Sequence, residues 1–192
     1  MEQIRTKSIE KSIKSKGLLV LGIGNDILCD DAAGLHALRA ARDAIRNSGG
    51  HDVVEFKELS SGGIDLMEEF TGFDELIVVD SYFSEDSMPG RVRVLSEQDL
   101  EIRDASPGSS HLLGLSGALD LSRKLGYPTP RLAAVVVVDV GARCREFGEE
   151  LSPEAALAVP EAARAIRNLV RRQGDGRSIR RSCGCGAPET IV

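Results

Sequence analysis

The sequence lacks any apolar run long enough to cross a bilayer. Its longest runs, Leu18-Leu19-Val20-Leu21 and residues 133–138, fall far short of the ~20 residues that a transmembrane helix needs, so no membrane association is expected. A secretory leader is also missing: the basic start MEQIRTKSIEKSIKSKG is interleaved with Glu2 and Glu10, and no apolar h-region or small-residue cleavage site follows it. Cysteine is scarce. Cys29, Cys144, Cys183 and Cys185 are scattered, which argues against a disulfide framework and for a reducing, cytoplasmic compartment. An excess of clustered Lys and Arg is absent as well, and with a formal charge of −6 a nucleic-acid surface is not expected. There is no tryptophan and no internal repeat.

What is present is ordinary globular material, 42% hydrophobic and 28% charged over 192 residues, enough for one domain with a real core. Residues 1–16 show no apolar periodicity and read as a flexible N-terminal arm. Residues 17–173 form a single α/β domain, and the aperiodic 174–192 reads as a mobile C-terminal tail. Within the domain, apolar runs at 18–22, 76–79 and 133–138 suit strands buried on both faces. Val53 to Phe56 reads as a further strand, and Arg91-Val92-Arg93-Val94-Leu95 alternates as a half-exposed edge strand should. Helical spacing links Leu35, Leu38, Ala41 and Ile45, and again Leu112, Leu115 and Leu119. The last helix starts on Ser152 as N-cap, Pro153 and Glu154, and Pro160 should kink it. Strands alternating with helices predict a three-layer α/β/α sandwich around a five-stranded, mostly parallel mixed sheet.

In such sheets ligands sit outside the carboxyl ends of the strands. The first strand exits into Gly22-Ile23-Gly24-Asn25 and the acids Asp30 and Asp31, the 76–79 strand exits onto Asp80, and His111 opens a helix after the loop 104–110. Two carboxylates and one imidazole suit a borderline divalent ion such as Ni²⁺ or Zn²⁺. Taken singly each residue has a plainer role: Asp80 as a strand-end turn residue, Asp30 and Asp31 as helix caps, His111 as a helix-start residue. A dinucleotide reading of the Gly22–Gly24 turn fails because the third glycine would fall at Ile27, the region 49–53 offers no good candidate for the ribose-binding acid at the end of strand two, and no Walker lysine is present. No nucleotide cofactor is expected. Cys29 reads as a packed small side chain, and Cys183-Gly184-Cys185 as an incidental pair.

Taken together, LVLGIGNDILCDDAAG at 19–34, ELIVVDSY at 75–82, SPGSSHLLGL at 106–115 and LSPEAALAVPEAARAI at 151–166 resemble, in order, the hydrogenase maturation endopeptidases. The loop after strand two departs from that family: it reads Glu58-Leu59-Ser60-Ser61-Gly62-Gly63 where D-x-G-T-x-G is common. The resemblance implies a cytoplasmic endopeptidase that removes the C-terminal extension of a nickel-iron hydrogenase large-subunit precursor after nickel insertion. The alternative it leaves is a non-proteolytic nickel-checking or assembly factor. By motif position it assigns Asp31, Asp80 and His111 both the catalytic and the metal-contacting role. The nickel would be carried by the substrate, with cadmium or zinc able to substitute in vitro.

Overall fold

A computed structural model describes residues 16–49, 54–60, 63–83, 88–103, 110–141 and 146–182, the side chains of 101–103, 110–113 and 175–182 excepted. The arm at 1–15, the loop at 104–109, Cys144, Cys183 and Cys185 lie outside the described residues. Five strands, β1 (Leu18–Ile23), β2 (Val54–Leu59), β3 (Glu75–Tyr82), β4 (Val92–Leu95) and β5 (Arg131–Asp139), make one sheet in the order β2-β1-β3-β5-β4. Every neighbouring pair is parallel except β4 with β5. The helices are α1 (Ala33–Asn47), preceded by a 3-10 turn at Cys29–Ala32, then α2 (Ile64–Phe70), α3 (Glu97–Arg103), α4 (Ser110–Lys124) and α5 (Pro153–Ser182).

The expected three-layer sandwich and mixed five-stranded sheet are present, and strand alternation shows how the layers are held. Leu18 and Val20 of β1, Ile77 and Val79 of β3, and Val136 and Val138 of β5 pack against α1 and α5. Leu19, Leu21, Leu76, Val78, Val135 and Val137 point the other way, against Leu66 and Phe70 of α2, Leu100 of α3 and Leu115 and Leu119 of α4. Successive side chains on a strand face opposite sides, so the uninterrupted apolar runs feed two cores at once. At the start of β5 the register with β3 shifts between Leu76 and Ile77, which accommodates one extra residue and leaves Leu132 on the α4 side with Val135.

Two features differ from the sequence reading. Helix α3 was not anticipated, because EQDLEIR is short and buries a single described side chain, Leu100. Its signal is a reciprocal cap: Asp99 Oδ2 accepts the Ser96 N–H at 2.7 Å and Ser96 Oγ accepts the Asp99 N–H at 3.4 Å. Helix α5 continues to Ser182, past Gln173, where loss of the apolar stripe predicts a tail. Extending an existing helix fixes one residue per added hydrogen bond, so a helix can outrun its packed face. The start of α5 is as expected, with Ser152 Oγ accepting the Ala155 N–H at 3.3 Å. Pro160 lies within it on the exposed side. Among the described residues no helix is long and apolar enough to cross a membrane.

The packing ranks α5 substitutions in equilibrium unfolding by denaturant. Ile166→Ala, at a fully buried position, is expected to cost about 2–5 kcal/mol. Leu157→Ala, at a residue 80% exposed, is expected to stay within about 0.5 kcal/mol of the parent.

Candidate active site

The chain leaves β1 in one direction, through α1 to β2, and returns through α2 to β3 on the other side of β1. This reversal opens a crevice between the carboxyl ends of β1 and β3, the place where open α/β sheets bind ligands. The loop 24–32 leaves β1 there, and Asp80 and Ser81 stand near the end of β3.

Glycines set how closely these parts meet. A side chain at Gly34, in the first turn of α1, would put its Cβ 3.0–3.1 Å from the N, Cα and C atoms of Asp80. Only a residue without one lets the helix lie on the strand end. A side chain at Gly24 would collide with the carbonyl oxygen of Asp31. The result brings Asp31 to the end of β3, where its Oδ1 accepts the Ser81 hydroxyl at 3.2 Å. Its Oδ2 receives no hydrogen bond from the described residues, and the side chain keeps partial solvent access.

The neighbouring acid does something else. Asp30 is 1% exposed and its Oδ1 accepts the N–H of Ser152 at 2.6 Å, so it braces the N-cap residue of α5. The segment before α5 also clamps the loop through its backbone: Cys29 N–H donates to Gly148 O at 2.7 Å and Gly148 N–H to Ile27 O at 3.0 Å. Cys29, at φ 36°, is the one described non-glycine residue in the left-handed region, which is strained for a side chain. Its thiol is free, buried and packed on Gly148.

Asp80 is also 1% exposed. Leu76 and Val78 face α4, so alternation directs Asp80 to that side of the sheet. His111 is the second residue of α4, the helix on that side; its side chain lies outside the described residues. One turn on, Gly114 comes so close that a Cβ there would lie 3.3 Å from the Gly63 backbone nitrogen, seating the start of α4 on the loop before α2. Ser60, standing where the family often has glycine, is not in a positive-φ conformation, so this chain does not need glycine there. Asp31 is therefore held on Ser81, the residue next to Asp80, while the first turn of α1 lies on the Asp80 backbone. Among the described residues there is no group of three His, Cys, Asp or Glu arranged to hold a metal.

Residues 46–169, which include Asp80 and His111 and begin after the loop of Asp31, match the family described as hydrogenase maturation protease. The chain belongs to the hydrogenase maturation protease family. It is 29% identical over 121 residues to the hydrogenase 2 maturation protease of Escherichia coli K12, covering 63% of this chain and 72% of that one. The endopeptidase HybD from E. coli superposes with a TM-score of 0.65 at 25% identity, over 82% of this chain and 93% of its own. A solution structure of an E. coli endopeptidase gives 0.67 at 26%, with the same coverage. The HybD protease of Thermococcus kodakarensis, 23% identical with a TM-score of 0.55 over 79% of this chain and 97% of its own, shares the fold. The chain is accordingly a peptidase of the maturation class.

Two charged groups of this protease escaped the sequence reading. Arg39 of α1 makes a two-pronged bond to Asp26 at 2.8 and 2.7 Å and also holds Glu58 at the end of β2. Glu58 does stand where a dinucleotide fold would place its ribose acid, but Arg39 engages both its oxygens. The hydrogen bond from Arg39 holds the Asp26 carboxyl below its ordinary value of 3.8, against a smaller opposing effect of burial. On the other side of the site, Arg93 of β4 donates to Asp139 at the end of β5 and lies over the Tyr82 ring, 4.9 Å from its centroid. The alternation of 91–95 carried a signal for this second group, since it places Arg93 on the same face as the buried Leu95.

Gly34→Ala is expected to destabilise the protein by about 1–3 kcal/mol, since backbone must move. Gly117→Ala, where a Cβ meets nothing within 4 Å, should be neutral or stabilising by up to about 1 kcal/mol; thermal unfolding of the two variants checks the contrast. The Asp26–Arg39 pair sets a pH dependence. Because the folded pKa of Asp26 is depressed, its contribution is full above the unfolded value and is lost as pH falls through the folded one. Stability measured from pH 7 to pH 2 should show a gap between wild type and Asp26→Asn that is constant above about pH 4 and closes below it.

Proposed function

We propose that this protease removes the C-terminal extension of a nickel-iron hydrogenase large-subunit precursor, in the cytoplasm, once nickel has been inserted. Asp31, Asp80 and His111 would contact the nickel that the substrate carries. The observation supporting the assignment is the pairing of Asp31 with the end of β3 at the crevice, with Oδ2 of Asp31 left open while Asp30 is committed to α5. The donor chemistry fits a passing ion: carboxylates and an imidazole hold nickel less firmly than thiolates do. The enzyme can therefore add ligands to an ion that substrate cysteines retain, without stripping it.

Hydrolysis requires water to attack the scissile carbonyl carbon, giving up a proton, after which the C–N bond breaks and the departing amine gains one. In the absence of a nickel contact at its open Oδ2, Asp31, with solvent access, would take the proton of the water. Asp80, withdrawn from solvent, is suited to holding rather than shuttling charge.

Intact-mass analysis of a nickel-loaded precursor incubated with the protein tests this reading. Wild type should release the C-terminal peptide, and Asp31→Ala, Asp80→Ala and His111→Ala should each slow release by about 100-fold or more. A stable complex with no mass change would instead favour the nickel-checking assembly factor. Cleavage at wild-type rate by all three variants would remove these residues from the site.

A further inference from the structure

Four groups on one face of the sheet, Asp80, Tyr82, Arg93 and Asp139, point to a substrate contact that no motif assigns. Asp80 of β3 and Arg93 of β4 both pair in register with Val137 of β5. They occupy one row across three strands, about 10 Å apart at the backbone given the spacing of adjacent strands. Val78, Val137 and Leu95 are buried against α2, α3 and α4, so Asp80 and Arg93 share that face. Arg93 does not extend outward from its edge strand. Its guanidinium reaches back across β5, bonds to Asp139 and covers Tyr82, the residue two positions beyond Asp80 on the same side of β3.

The pair is costly for a surface strand to carry. The Arg93 side chain is 11% exposed and that of Asp139 4%, and a buried ion pair recovers little more than its own desolvation. Asp139 and Tyr82 fix the guanidinium from two sides, yet both bonds to Asp139 come from Nε and Nη2. Nη1 has no acceptor among the described residues. A peptide backbone entering a crevice that holds Asp31 and Asp80 presents carbonyl oxygens to two carboxylates. A fixed N–H donor in the same row gives such an oxygen a partner, and its effect grows as the oxygen gains charge during attack.

We propose that Arg93 is a substrate-binding residue of this protease, donating from its guanidinium to a backbone oxygen of the extension peptide beside Asp80. This rests on the cleavage reading given above. Arg93→Gln alone leaves Asp139 buried without its counter-charge, so Arg93→Gln combined with Asp139→Asn replaces the ion pair by a neutral one of similar shape, and Arg93→Lys keeps the charge without the fork. Each is assayed for kcat and KM on the nickel-loaded precursor by intact mass, with thermal unfolding alongside. Arg93→Lys should lose about 10-fold in kcat/KM and Arg93→Gln about 100-fold. The double variant should recover thermal stability relative to Arg93→Gln while staying about 100-fold slow. Recovery of wild-type kcat/KM together with stability in the double variant would make the pair purely structural and overturn the proposal. Wild type failing to cut the precursor would overturn the proposed function and the role of Arg93 with it; wild type and the double variant cutting equally fast would overturn the role of Arg93 alone.

Discussion

The candidate site depends on one close approach, the first turn of α1 lying on the backbone of Asp80 with no side chain between them. A parallel sheet that reverses its winding at β1 necessarily opens a crevice, but it does not by itself bring the loop from one strand against the end of the next. Gly34 does that, and Gly24 lets the carbonyl of Asp31 settle over the turn that precedes it. The hydroxyl of Ser81 then ties the carboxylate of Asp31 to β3. Backbone packing, which tolerates little adjustment, thus fixes the positions of the acids.

Loop rigidity has several further sources, each using a different part of the chain. Arg39 ties the early loop residue Asp26 to the end of β2. Gly148 pairs with Ile27 and Cys29, and Asp30 reaches the amide of Ser152. A segment of nine residues is therefore fastened to α1, β2, β3 and the entry to α5. Such fastening preorganises the loop, since flexible groups lose affinity to ordering entropy.

Much of this architecture was legible in the amino-acid pattern. Continuous apolar runs at β1, β3 and β5 require burial on two faces, and from that the three layers follow. The extra helix α3 was missed because one inward leucine gives no periodicity, although Ser96 and Asp99 spelled a cap. At the site, sequence position put Asp31 and Asp80 forward as candidates, but the distinct job of Asp30 was invisible, since it rests on a partner 122 positions away. Arg93 was read as part of an ordinary edge because a one-strand view cannot see Asp139 and Tyr82. The reach of a long side chain across a neighbouring strand is a tertiary property, and local pattern carries only half of it.

The bond from Asp30 to Ser152 also gives the molecule an order of completion. A ribosome delivers the Asp31 loop early and the entry to α5 more than a hundred residues later, and domains consolidate as their parts emerge. The three central strands can assemble as soon as β5 has been made, but the acidic loop gains its Gly148 clamp and its α5 brace only when the segment after β5 has followed. The scaffold of the peptidase is therefore in place before the acidic loop beside it is fastened.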